Sequence, residues 1–316
     1  MTGRSMPKPG GIWNISSPEM SLVSIIIPAF QAARFIERAL ESVREQTHIE
    51  WEVIVIEDGS DDGTANLVRE FASLVSQPVR YENNEANLGV STSRNRALSL
   101  ARGDFIAFLD ADDWWTPQHL ATGLATLRSG ADICCSGFFL YEEPSGEVSG
   151  KLIPERSLFK DPLVSLFKSN FIQTSSLVIL RKEVAQSCGG FDSNLKIGED
   201  CDYWMAILSR GYRLACTEQV TCYYTKHATS AMSKSVIVAE HGVKFCRKHL
   251  RSEFLPESLR ISGYAKSLWI YGRLIQRQDP HLALSLFWEA WQMRPLNFIY
   301  SAYALRAWVI SLPQPS

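Results

Sequence analysis

The chain contains four short apolar runs of strand-forming composition, and helical patterns separate each run from the next. The runs begin at Val23, Trp51, Val79 and Phe105. Continuous apolar runs are typical of strands buried on both faces, as in the middle of a parallel sheet. Strands and helices that alternate at short spacing favour βαβ units with right-handed crossovers. We therefore predict an α/β fold with a mostly parallel central sheet flanked by helices.

Predicted helices and strands cover most of the chain after residue 20. In the first half we predict strands at 23–27, 51–56, 79–81 and 105–109, and helices at 32–46, 65–75 and 94–101. In the second half we predict helices at 117–128 and 200–210, strands at 133–141, 173–180, 212–216 and 220–225, and a surface loop at 142–160. From residue 236 onward the apolar spacing predicts helices alone.

The composition is that of an ordinary globular protein. With 46% hydrophobic and 21% charged residues, the 316-residue chain can bury a sizeable core. The net charge of −2 argues against a nucleic-acid partner, which usually requires a basic domain. The seven cysteines include no Cys-x-x-Cys pair, so we expect free thiols in a reducing compartment.

Membrane-spanning segments are not predicted. No uncharged apolar run reaches about 18 residues, and residues 1–20 have the composition of a flexible tail without a secretory leader. We therefore expect a cytoplasmic protein. The helices after residue 236 carry an apolar stripe, which fits peripheral contact with the inner face of a membrane or, more commonly, core packing.

Three carboxylates follow the strand at 105–109, at Asp110, Asp112 and Asp113. In open α/β sheets, ligands bind just outside the carboxyl ends of the strands. If strand geometry continues, Asp110 and Asp112 share one side and could hold Mg²⁺ or Mn²⁺ together with substrate phosphates. The alternative is a polar turn in which Asp113 caps the next helix.

Other polar groups follow other predicted strands or begin helices. Asp58 ends the second strand and could accept hydrogen bonds from a base or ribose, although a capped turn would satisfy it equally. Arg94 lies early in a helix, where it could face an anionic ligand or simply solvent. Glu199 and Asp200 begin a helix, either as capping residues or with Asp200 as a general base. His227 ends a strand and could touch a metal or a diphosphate, or neither.

Three familiar motifs fail. The acidic segment from Asp58 to Gly63 matches the start of a calcium loop, but Arg69 occupies the position that requires a bidentate glutamate. The first strand is followed by Pro28-Ala29-Phe30 where a dinucleotide-binding fold needs its glycine motif. The chain also lacks the glycine-rich lysine loop of nucleotide triphosphatases.

The order of these segments resembles glycosyltransferase family 2, the inverting enzymes of GT-A fold. The resemblance covers residues 21–230 and rests on the segments Pro28-Ala29-Phe30, Glu57-Asp58-Gly59-Ser60, Asn87-x-Gly89-x5-Asn95, Asp110-Ala111-Asp112-Asp113, Gly189-Gly190-Phe191-Asp192 and Gly198-Glu199-Asp200-x-Asp202. Departures are Glu57 for aspartate, Phe30-Gln31 for Tyr-Asn, and Ala206 and Lys226 where arginine is common.

The resemblance implies a role for each matching residue. The residues implied to bind the nucleotide sugar are Pro28, Phe30, Asp58, Arg94 and Asp110. Asp112 would bind a divalent metal, Mn²⁺ or Mg²⁺, with His227 as a further candidate ligand. Asp200 would be the catalytic base, and Glu199 beside it would orient the acceptor.

The implied activity is transfer of a sugar, with inversion, from a nucleotide-diphosphate donor, expected to be UDP-linked, to a glycan or lipid-linked acceptor. Cell-surface polysaccharide or glycolipid synthesis is the expected setting. Residues 21–235 would form the catalytic domain, with a nucleotide-sugar half at 21–115 and an acceptor half at 116–235, and residues 236–316 a helical extension. The alternatives are a sugar-nucleotide pyrophosphorylase and a binding module without turnover.

Overall fold

A computed structural model describes residues 21–143, 145–227 and 235–311, with side chains to residue 305. The strands are β1 (Val23–Ala29), β2 (Trp51–Glu57), β3 (Val79–Asn83), β4 (Phe105–Phe108), β5 (Trp114–Trp115), β6 (Ile133–Glu142), β7 (Glu147–Leu152), β8 (Val178–Arg181) and β9 (Leu214–Lys226). The helices are α1 (Ile36–Arg44), α2 (Thr64–Leu74), α3 (Val90–Leu100), α4 (His119–Arg128), α5 (Pro162–Lys168), α6 (Lys182–Ser187), α7 (Glu199–Leu208), α8 (Ser235–His249), α9 (Glu257–Ile275), α10 (Pro280–Met293) and α11 (Phe298–Ser311).

One sheet organises the first two thirds of the chain. Its strand order is β3-β2-β1-β4-β8-β6-β9-β5, and β7 pairs with β6 outside that path. The four strands predicted from the apolar runs pair in parallel. All seven residues of β2 are buried, so both faces of the sheet are covered there, as the continuous apolar run predicted.

The second half of the sheet is mixed. Strand β8 pairs antiparallel with both β4 and β6, whereas β6 and β9 pair in parallel. The two strands predicted at 212–216 and 220–225 are one strand, β9, whose register with β6 is irregular near Gly137. Glu218, within β9, has a φ of 56° and lies at this irregularity. The sequence pattern had predicted a break between two strands at the same place.

Two segments differ from the prediction. The predicted loop at 142–160 contains β7, whose six residues are all exposed, so no apolar alternation identifies it as a strand. The strand predicted from residue 173 begins only at Val178. Before it, the Thr174 side chain accepts a hydrogen bond from the Ser176 amide and starts a 3₁₀ turn at 175–177.

Helices α8 to α11 build a second hydrophobic cluster, centred on Tyr264, Leu268 and Phe287. It meets the main core through Cys246 of α8, whose side chain packs against both clusters. The predicted division at residue 235 stays a prediction, because α8 contributes to both parts.

A two-glycine turn connects α6 to the segment before α7. Gly190 has a φ of +88°, and a Cβ added there would overlap Oδ1 of Asn95. That same oxygen accepts a hydrogen bond from the Phe191 amide at 2.8 Å, while the Asn95 amide nitrogen donates to the Phe191 carbonyl at 2.8 Å. The turn therefore fixes Phe191 against α3.

We expect Gly190→Ala to lower the free energy of unfolding more than Gly189→Ala does, as measured by urea denaturation. Both positions have positive φ, so each alanine costs about 1–2 kcal/mol for its left-handed backbone. Only alanine at 190 also disrupts the Asn95 contacts, since nothing lies within 4 Å of a Cβ at 189. Equal losses for the two variants would contradict this account of the turn.

Candidate active site

A cleft of about 940 Å³ opens where β1, β4 and β9 end. Its lining combines residues from distant parts of the chain: Pro28, Phe30, Arg94, Asp110, Asp112, Asp113, Glu199, Asp200, Thr225 and His227. Residues from α5, from the segment before α7 and from α8 complete the walls. The sequence-predicted site residues therefore converge on one cavity, with the exception of Asp58.

Arg94 is the charged centre of the cleft. Its side chain is buried, and Nη2 donates to Oδ1 of Asp110 at 2.6 Å while Nη1 donates to Oε1 of Glu199 at 2.8 Å. The guanidinium also lies 5.3 Å from the ring centre of Phe191. One arginine thus ties the end of β4 to the start of α7, because its planar fork can bind two carboxylates at once.

Two carboxylates beside Arg94, those of Asp200 and Glu199, have raised pKa values. Burial and the charge of Glu199 raise the pKa of Asp200 to about 7, although Arg94 opposes the shift. Burial likewise raises the pKa of Glu199 against the influence of Arg94. For Arg94 itself, burial acts to lower the pKa, but the charges of Asp110 and Glu199 outweigh it and the net shift is upward. Near neutral pH, Asp200 is therefore poised between its acid and base forms.

Asp112 and His227 form a second group in the lining of the cleft. Nε2 of His227 is 2.9 Å from Oδ2 of Asp112, and the imidazole stacks on Phe35 with ring centres 5.1 Å apart. The hydrogen bond to Asp112 raises the pKa of His227, although burial opposes it. Carboxylate oxygen and imidazole are both suitable ligands for Mn²⁺, and a diphosphate would complete the coordination.

Asp112 and His227 provide two of the ligands that a metal ion would need. Among residues 21–143, 145–227 and 235–311, no group of three or more His, Cys, Asp and Glu side chains is arranged to hold a metal ion. A site made by Asp112 and His227 would therefore depend on substrate oxygens. Coordination shared between protein and substrate is common for Mg²⁺, which proteins often bind with one or two carboxylates plus phosphates.

Asp113 has a structural role that the sequence did not reveal. Oδ2 accepts hydrogen bonds from Ser176 at 2.6 Å and Thr174 at 2.9 Å, and Oδ1 accepts one from the Thr225 amide at 2.9 Å. Burial and the nearby charges of Asp112 and Asp110 raise its pKa well above normal. Asp113 thus joins the end of β4 to the 3₁₀ turn and to β9, and it does not cap α4.

Asp58 is buried and is not one of the residues that line the cleft. Its Oδ1 accepts from the Asn84 side chain at 2.7 Å and the Leu88 amide at 2.9 Å, and its Oδ2 accepts from the Gly89 amide at 2.8 Å. The carboxylate therefore shapes the loop before α3. Contact between Asp58 and a nucleobase stays a prediction, whereas Pro28 and Phe30 do line the cleft, with Phe30 47% exposed.

Several lining residues were missed from the sequence. They include Lys168, Asn170, Gln173 and Lys196, together with one face of α8. No spacing rule would have found them, because they come from the end of the short helix α5, from irregular segments and from the region treated as an extension. Their position becomes evident only when α5 and α8 close one side of the cleft.

A cleft at the carboxyl ends of sheet strands, lined by a carboxylate with a pKa of about 7 and by an Asp–His pair, is suited to group transfer from a nucleotide-linked donor. The chain belongs to glycosyl transferase family 2, whose family model matches residues 24–189. This confirms the resemblance inferred from the motifs.

Two relatives illustrate the membership. TuaG of Bacillus subtilis, a glycosyltransferase whose name assigns it to teichuronic acid biosynthesis, is 30% identical over 78% of this chain and 95% of its own. WfaP of Escherichia coli, a UDP-Glc:α-D-GlcNAc-diphosphoundecaprenol β-1,3-glucosyltransferase, is 29% identical over 67% of this chain and 80% of its own.

Solved structures share the fold. Residues 1–349 of Staphylococcus aureus TarS, in complex with UDP-GlcNAc, superpose with a TM-score of 0.66 at 22% identity, covering 90% of this chain and 89% of that one. The mannosyltransferase PcManGT of Pyrobaculum calidifontis, in complex with GDP-Man and Mn²⁺, superposes with a TM-score of 0.61 at 19% identity, covering 95% of this chain and 90% of that one. The predicted GT-A fold is therefore confirmed. In the part of the chain that the structure describes, no helix is long and apolar enough to cross a membrane.

We expect Asp200→Asn to be more heat-stable than the parent at pH 8, and the difference to shrink as the pH falls below about 7. The pKa of Asp200 is raised in the folded state, so the ionised carboxylate destabilises the fold at high pH. Protonation removes this cost, and asparagine avoids it at every pH. Thermal unfolding midpoints between pH 4 and 8 measure the effect. A difference that does not vary with pH would contradict the raised pKa.

Proposed function

We propose that the protein transfers a sugar from a UDP-linked donor to a hydroxyl of a lipid-linked glycan, with inversion of the anomeric configuration. One observation carries the proposal: the half-buried carboxylate of Asp200 and the Asp112–His227 pair line the same cleft. A base on one side and a diphosphate site on the other are what a single displacement requires. Such a reaction needs no second carboxylate as nucleophile.

The donor is proposed from the shape of the cleft and from a structural neighbour. Pro28 and Phe30 give the cleft an apolar wall near the end of β1, where a base could lie. The TarS structure that shares this fold contains UDP-GlcNAc. The apolar wall supports a nucleobase in general, and the TarS complex supports uracil as that base.

The acceptor is proposed from relatives. WfaP acts on GlcNAc-diphosphoundecaprenol, and TuaG is named for teichuronic acid biosynthesis. A lipid-linked acceptor in cell-surface polysaccharide or glycolipid synthesis is consistent with both. Such an acceptor would bring the reaction to the cytoplasmic face of a membrane.

A divalent metal is part of the proposal, with Asp112 and His227 as the residues that would hold it. The mannosyltransferase neighbour contains Mn²⁺ together with GDP-Man, which supports Mn²⁺ or Mg²⁺. Bound there, the ion would neutralise the charge that develops on the leaving diphosphate. The Asp110 carboxylate, which accepts a hydrogen bond from Arg94 at 2.6 Å, would orient the donor sugar.

Asp200 would take the proton from the acceptor hydroxyl as that oxygen attacks the anomeric carbon. Its pKa of about 7 lets the carboxylate form exist at neutral pH while remaining basic enough to accept a proton. Glu199 is held by Arg94 and would orient the acceptor beside the base.

We expect Asp200→Asn and Asp112→Asn each to reduce transfer by at least about a thousandfold, which corresponds to loss of a positioned base or of charge stabilisation. Lys151→Ala, on the exposed strand β7, is the control and should leave transfer unchanged. Circular dichroism would verify that the variants are folded. Transfer by Asp200→Asn at the parent rate would refute the assignment of the base.

The competing function is a sugar-nucleotide-binding module without turnover; the family membership disfavours a pyrophosphorylase. We expect UDP to raise the thermal unfolding midpoint of the parent more in the presence of Mn²⁺ than in its absence. Release of UDP from UDP-sugars with GlcNAc-diphospholipid present would then demonstrate turnover. Stabilisation by UDP without release from any donor tested would favour the binding module, and absence of both would contradict both functions.

Contact with a membrane surface would follow from a lipid-linked acceptor. Leu296 and Phe298, at the junction of α10 and α11, are 92% and 88% exposed. We expect the parent to sediment with vesicles that contain phosphatidylglycerol and Leu296→Glu/Phe298→Glu to remain in solution, because burial of these side chains would be lost. The control Leu74→Glu, on α2, should sediment like the parent, and equal sedimentation of all three would contradict contact through this junction.

A further inference from the structure

Helix α8 presents one face to the cleft. The lining residues Val238, His241, Gly242 and Phe245 follow the spacing i, i+3, i+4, i+7, which places them side by side on a helix. They lie outside residues 24–189, which match the family model. The face is therefore a feature of this chain that the family comparison does not assign.

This face lies beside the helix that carries Asp200. A Cβ added at Gly198, immediately before Glu199, would lie 3.7 Å from Cδ2 of Phe245. In the same C-terminal turns, α8 is bonded to α7, since Lys248 Nζ is 2.8 Å from Oδ2 of Asp202 and His249 Nε2 is 3.1 Å from Oδ1. These contacts fix the position of α8 relative to α7, the helix that carries Asp200.

His241 is a polar group that the fold leaves incompletely satisfied. Its side chain lines the cleft with 6% exposure, and among the described residues Nδ1 is buried without a hydrogen-bond partner. A buried polar atom without a partner costs stability, so such positions call for a functional explanation. Burial and the positive charge of Lys244 lower the pKa of His241, so the imidazole is neutral at pH 7 and can both donate and accept.

The other residues of this face have apolar side chains or, at Gly242, no side chain. Gly242 leaves open space, because nothing lies within 4 Å of a Cβ built there. Phe245 is half-buried and offers part of its ring to the cleft. An apolar and aromatic surface with one neutral hydrogen-bonding group matches a sugar ring, which has an apolar C–H face and hydroxyls at its edge.

We propose that this face of α8 binds the sugar residue of the acceptor, with His241 hydrogen-bonding a hydroxyl and Phe245 packing on the ring. The inference rests on the proposed function and adds to it the acceptor subsite. Acceptor selectivity then resides in α8, while the donor site resides in the half of the chain that the family shares.

Gly242→Leu provides the sharpest test. Leucine has a higher helix propensity than glycine, and nothing lies within 4 Å of a Cβ at this position. The variant should therefore unfold at a higher temperature than the parent. Its side chain would fill the proposed subsite. We expect KM for GlcNAc-diphospholipid to rise about tenfold or more, equivalent to one strong contact, while hydrolysis of the UDP-sugar by water stays within about twofold of the parent.

His241 is tested by a pair of variants. His241→Ala should raise the acceptor KM by about tenfold through loss of a hydrogen bond, with donor hydrolysis unchanged. His241→Asn keeps a polar atom near the Nδ1 position and should recover part of the loss. A merely structural role would instead lower the unfolding temperature and donor hydrolysis together.

The control is Ile237→Phe, which enlarges an exposed apolar side chain of the same helix that does not line the cleft. It should leave the acceptor KM unchanged. Unaltered acceptor KM in Gly242→Leu and His241→Ala, with a parent that transfers normally, would overturn the inference alone. A parent that neither hydrolyses donor nor transfers sugar would overturn the proposed function, and a parent that hydrolyses donor but ignores GlcNAc-diphospholipid would overturn the acceptor assignment and the subsite with it.

Discussion

The site depends on a buried guanidinium shared by two carboxylates. Arg94 comes from α3, Asp110 from the end of β4 and Glu199 from the start of α7, so one side chain joins three elements that are far apart in sequence. Removing one partner of such a buried group would leave an uncompensated charge, which is strongly unfavourable. The same contact holds Glu199, the neighbour of the proposed base Asp200, close to Asp110 of the proposed donor site. In the proposed mechanism, stability and catalysis are therefore linked through this one residue.

The carboxylates near the cleft respond differently to burial because their partners differ. Among the described residues, Asp113 has three hydrogen-bond donors but no cationic partner, and burial raises its pKa. Asp200 lies beside the Arg94–Glu199 pair and accepts a hydrogen bond from the amide of Cys201. Asp112 faces His227, which can share a proton with it. A cluster of negative charge thus acquires distinct chemical roles from the groups that surround each member.

Much of this arrangement could be predicted from the sequence. The apolar runs that end in acidic residues predicted parallel strands and the edge of the sheet at which Asp110 and Asp112 lie. Strands buried on both faces could be recognised because their burial requires continuous apolar runs in the sequence. The role of Asp113 could not be predicted, because its partners Thr174, Ser176 and Thr225 are distant in sequence. The face of α8 was missed for the same reason: its spacing is that of any half-buried helix, and only the tertiary fold shows which side meets the cleft.

The anchoring of α8 bears on where this chain could be shortened. A protein ending at residue 234 would retain every residue of the family match. Yet Asp202, which is 5% exposed, would lose Lys248 and His249 together and leave a buried anion with no cationic neighbour from α8. The apolar surface around Phe245 would also be uncovered. Helix α8 therefore supports α7 and the main core, and we expect its removal to destabilise the residues that precede it.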